Sequence, residues 1–70
     1  MYKYGNKLKE YREKNGLTQV GIADKLGMPQ SNYSRLEKGE LDIKISMLLN
    51  ICQTLNVSAD WLLGLTEEIK

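Results

Sequence analysis

The residues of this chain best able to do chemistry gather between positions 30 and 44, and they offer hydrogen bonding and positive charge rather than bond making. At about 100° per residue, Ser31, Ser34, Arg35 and Lys38 share one helical face, with Gln30 at its exposed start and Pro29, Tyr33 and Leu36 opposite. That face carries amide, hydroxyl and basic groups and no acid, whereas most solvated helix faces mix both signs. Catalysis finds no support elsewhere. With no His and Cys52 as the single thiol, the sequence cannot supply a zinc site, a Cys-His nucleophile pair, a Ser-His-Asp triad or an intrachain disulfide. Glu10 and Glu13 share a segment with Lys7, Lys9 and Lys14 and read as charge-paired solvation. No catalytic residue, metal or cofactor is expected.

The elements that must position this face are short. Seventy residues make one domain, expected over 1–70, because a chain of this length buries only about 60% of the surface it exposes unfolded. The net charge of +1 conceals a split: residues 1–44 carry +3 and residues 45–70 carry −2, a dipolar surface able to turn one end toward a polyanion. One unpaired thiol and no signal-peptide pattern point to the cytoplasm. No stretch approaches the roughly 20 apolar residues of a membrane span.

Glycines punctuate apolar residues at helical spacing, so an all-helical domain is expected. A first helix over 6–15 places Tyr4, Leu8 and Tyr11 on one stripe and stops at Gly16. A second opens at Thr18, an N-cap flanked by the staple pair Leu17 and Ile22, buries Ile22, Ala23 and Leu26, and stops at Gly27. The third begins around Pro29 and ends at Gly39. The fourth, about 44–56, carries Ile45, Leu48, Ile51, Cys52 and Leu55 as a buried stripe, in which Cys52 is packing rather than a redox group. The last starts at Ser58 and holds more apolar surface than so short a helix needs. Tyr4, Tyr11 and Tyr33 are inward, leaving Tyr2 free for other work; Lys3 is an ordinary exposed lysine.

Two short helices around a glycine turn suggest a helix-turn-helix, and the motif from about Gln19 to Lys38 resembles that of the phage repressor and Cro-type (Xre-like) family. The likeness rests on Ala23 at the helix contact, Gly27 in the turn, Ile22, Leu26, Met28 and Leu36 inside, and Ser34-Arg35-Leu36-Glu37-Lys38-Gly39. It continues upstream through Arg12-Glu13-Lys14-Asn15-Gly16-Leu17-Thr18-Gln19 and downstream from Leu55 to Gly64, covering residues 6–64. The resemblance implies an all-α fold, a compact five-helix bundle of the lambda-repressor-like DNA-binding kind, whose third helix enters the major groove while the second crosses the backbone.

Carried over residue by residue, Gln30, Ser31, Asn32 and Arg35 would read bases; Thr18, Gln19, Ser34, Lys38, the amide of Gly39 and Lys44 would hold phosphates. Arg12 and Glu37 would form an internal ion pair. Trp61, Leu62, Leu63 and Leu65, within a C-terminal helix and tail about 58–70, would make a homodimer contact. Departures from the family pattern are Pro29 in place of a Ser or Thr cap, the acids of Glu40-Leu41-Asp42 where relatives carry basic residues, Val20 and Gly21 for polar residues, and Tyr33 for a branched aliphatic. The implied function is a sequence-specific regulator of transcription, a repressor binding a palindromic operator in double-stranded DNA as a homodimer. The alternative is an antitoxin or other protein-interaction module on the same scaffold.

Overall fold

The computed structural model describes residues 4–70 and consists of α1 (Tyr4–Lys14), α2 (Gln19–Leu26), α3 (Gln30–Glu37), α4 (Ile45–Leu55) and α5 (Ala59–Leu62). Tyr2 and Lys3 lie outside the described residues. Among those described, no strand occurs and no helix is long and apolar enough to cross a membrane.

Local chemistry accounts for most boundaries. The Thr18 hydroxyl accepts from the Gly21 N–H at 3.0 Å and starts α2, while Gly27 at φ 70° ends it, with the Met28 N–H donating back to the Ala23 carbonyl. Ser58 does the same for α5, accepting from the Trp61 N–H at 3.0 Å. Pro29 stands outside α3 rather than in its first turn. Its extended backbone (φ −62°, ψ 144°) makes it the cap position, and it has no side-chain group with which to cap.

The core gathers Leu8 from α1, Ile22, Ala23 and Leu26 from α2, Tyr33 and Leu36 from α3, Ile51 and Leu55 from α4, and Trp61 and Leu62 from α5. Tyr4 joins it, so α1 begins earlier than the periodicity suggests. The early start depends on Gly5. A Cβ at this position would lie 2.5 Å from the Glu37 carbonyl oxygen and 2.7 Å from that of Leu36, so only glycine lets α1 cross the end of α3 this closely.

Two expectations about burial require correction. Ile45, placed in the α4 stripe, is 76% exposed. The stripe centres between Ile51 and Leu55, and at about 100° per residue Ile45 and Leu49 fall well round the helix from it. Trp61 and Leu62, assigned to a dimer contact, are instead 3% and 0% exposed within the chain itself. The Lys7 ammonium lies 5.2 Å from the centre of the Trp61 ring, so α1 covers the residue that was to face a partner.

Candidate nucleic-acid interface

Packing of α2 against α3 sets the orientation of the reading face. Tyr33 and Leu36 are buried on one side of α3, and this turns Gln30, Ser31, Asn32, Arg35 and Lys38 to solvent, with Ser34 half-buried at the margin. None of these exposed side chains is engaged in a hydrogen bond among the described residues, so their donors are available. Because Pro29 supplies no cap, the backbone N–H groups of Gln30, Ser31 and Asn32 also remain unsatisfied at the start of α3. At the start of α2, by contrast, the Thr18 hydroxyl takes the Gly21 N–H and leaves only those of Gln19 and Val20.

The backbone-contact expectations divide. Lys38 and Lys44 are exposed, and Lys44 stands apart from α3, at the cap position of α4. The Gly39 amide is not free for a phosphate. It donates to the Leu36 carbonyl at 3.1 Å and is used in closing α3. Glu40 and Asp42 are exposed in the following loop, which Tyr4 holds by donating from its hydroxyl to the Leu41 carbonyl at 2.7 Å.

Behind the face, Arg12 Nε donates to Glu37 Oε2 at 2.7 Å and Arg12 Nη2 to Oε1 at 3.3 Å, tying α1 to the last turn of α3. The two side chains are 16% and 6% exposed, so the pair is largely withdrawn from water. Burial is the largest single influence and works against the Glu37 charge, yet the hydrogen bonds and positive charge of Arg12, joined by its polar neighbours including Gln19, together outweigh it and hold the carboxyl below the usual range. The same bonds hold Arg12 above its ordinary value. Burial, and then the neighbouring Glu37 charge, pushes the Tyr33 phenol up, and its hydroxyl is enclosed without a hydrogen-bond partner. Burial likewise pushes up the Cys52 thiol, away from the reactive thiolate.

Three contacts escape sequence reasoning. Gln19, expected at a phosphate, donates from Nε2 to Glu37 Oε1 at 3.3 Å. Asn50 on α4 donates to the Leu26 carbonyl at 2.8 Å and so anchors the end of α2. Gly5 admits α1 against the end of α3. Only Gly5 left a trace in the sequence, as one of the glycines that punctuate it, just ahead of the helix expected over 6–15.

A short helix packed against a second whose outer face is exposed and free of acids defines a class, and a helix-turn-helix family model matches residues 8–62: the chain belongs to the helix-turn-helix family. It is 41% identical over 66 residues to the HTH-type transcriptional regulator ImmR of Bacillus subtilis (strain 168), an alignment covering 94% of this chain and 52% of ImmR. The chain spans about half the length of the curated relatives it matches. Among solved structures it resembles SinR, the master regulator for biofilm formation, crystallised in complex with DNA (TM-score 0.76, 30% identity, 86% of this chain and 97% of that one). It also resembles the restriction-modification controller protein C.AhdI from Aeromonas hydrophila (TM-score 0.77, 26% identity, 87% and 92%).

Proposed function

We propose that the chain is a sequence-specific regulator of transcription that binds double-stranded DNA in the cytoplasm and represses by occupying an operator, without chemistry on the DNA. The observation that carries this reading is the outer face of α3: Gln30, Ser31, Asn32 and Arg35, exposed, unengaged and free of acids, on a helix of a size that enters a major groove. Gln30 pairs with adenine through its amide, and Arg35 presents its fork to guanine. Thr18, Gln19, Ser34, Lys38 and Lys44 hold phosphates and fix the register. The likeness to SinR, solved with DNA bound, supports the same docking.

The protein acts as a homodimer on a palindromic site. Since Trp61 and Leu62 serve the core, the contact falls to apolar groups left in water toward the C-terminus: Leu65 and Ile69 in the tail and Ile45 and Leu49 on α4, with Leu63 half-buried. Selection of bound fragments from random duplex DNA at two salt concentrations tests the whole reading. A two-fold-related motif that survives the higher salt is expected; enrichment lost uniformly with salt leaves phosphate attraction alone and overturns sequence-specific reading.

A further inference from the structure

Glu37 is spent on more than its ion pair. Its two oxygens accept from Arg12 Nε, Arg12 Nη2 and Gln19 Nε2, and the last of these bonds reaches from α3 to the first residue of α2, on the face proposed to meet the sugar-phosphate backbone. An ionised carboxylate can only accept, so it imposes one orientation on the amide opposite it: nitrogen inward. A neutral partner would tolerate either flip. The Gln19 nitrogen carries two protons, one of which is committed to Glu37, and Gln19 is half-buried rather than enclosed, so the other proton is left to donate elsewhere from an amide whose orientation the first has set.

We propose that Glu37 is a positioning residue for DNA binding: its carboxylate locks the Gln19 amide so that the second N–H is held ready for a phosphate oxygen, while Arg12 neutralises the charge that would otherwise repel that phosphate. The inference rests on the DNA-binding reading above. It also runs against simple electrostatics, under which removing an acid near a polyanion strengthens binding.

The experiment measures affinity for a random-sequence duplex by fluorescence anisotropy with the full chain, Gln19→Ala, Glu37→Gln and the double variant, each at a temperature where circular dichroism shows it folded. Each single change weakens binding about three- to tenfold, uniformly across sequences, and the double variant is no weaker than the worse single one, because both remove the same contact. Effects that multiply in the double variant, or tighter binding by Glu37→Gln, overturn the assignment. A wild-type chain that does not bind duplex overturns the DNA reading itself, a separate outcome. A second measurement needs no variant: in the wild-type NMR spectrum the Gln19 side-chain amide protons shift as Glu37 titrates, and one of the two shifts again when duplex is added. Amide protons indifferent to both overturn the proposal.

Discussion

The two faces proposed to meet partners are built in opposite ways. The outer side of α3 is polar, exposed and held from behind by a partly buried network in which Arg12 and Gln19 converge on Glu37. The C-terminal segment, where sequence composition suggested an apolar surplus, has sent its largest members inward: Trp61 and Leu62 close the core, and Leu65 and Ile69 are left exposed in the tail, with Ile45 and Leu49 exposed on α4. A reading face needs side chains with unspent hydrogen bonds on a rigid backbone, so its residue types are chosen for solvent. An apolar contact uses the same residue types as the core, so composition alone does not say which side chains are left over.

Substitutions separate these faces, beginning with the largest effect. Trp61→Ala costs about 3–5 kcal/mol of folding stability, as for other large-to-small changes in cores, and in so small a domain this appears as a thermal melt shifted far down or lost. A stably folded variant defective only in self-association would return Trp61 to the interface. Removing the Glu37 side chain with Ala leaves Arg12 uncompensated and costs about 3 kcal/mol, measured by urea unfolding. The pH dependence has a definite sign. Because the folded carboxyl sits below its unfolded value, its contribution is complete above the ordinary glutamate range near about 4.3 and disappears as pH falls through the lower folded value. Glu37→Gln flattens that acid limb; an unchanged limb would show that other carboxylates govern it.

On the reading face, Arg35→Ala leaves the melting curve in place and costs about 1–3 kcal/mol of affinity on the selected site. Unchanged affinity would remove Arg35 from the base contacts. Smallest in stability are Leu49→Ser and Leu65→Ser, which stay within about 0.5 kcal/mol of the parent while sedimentation shows self-association weakened. Were both variants to associate normally, the homodimer would have to use another surface.

Much of the fold was legible because the relevant forces are local. Thr18 and Ser58 cap their helices by accepting, through their own hydroxyls, from backbone N–H groups three residues on in sequence, and Gly27 ends α2 through its left-handed backbone. The outward set on α3 was legible for a related reason: once Tyr33 and Leu36 are inward, helix geometry fixes the rest. Ile45 failed the same test because the buried stripe of α4 centres between Ile51 and Leu55, and that centre, which leaves Ile45 well round the helix, is set by the helices packed against it. The Gly39 amide failed because the chain consumes it in its own turn.

The sequence by itself determined the helices, their caps and stops, the absence of His and of a second Cys, and the acid-free face of α3, since each follows from residue identity and contacts within about a turn. Tertiary structure decided what depends on distant segments meeting: that Gly5 must be glycine where α1 crosses the end of α3, that Trp61 lies under Lys7, and that Gln19 turns toward Glu37. Burial and hydrogen-bond partnership belong to pairs of elements, and no single segment carries that information.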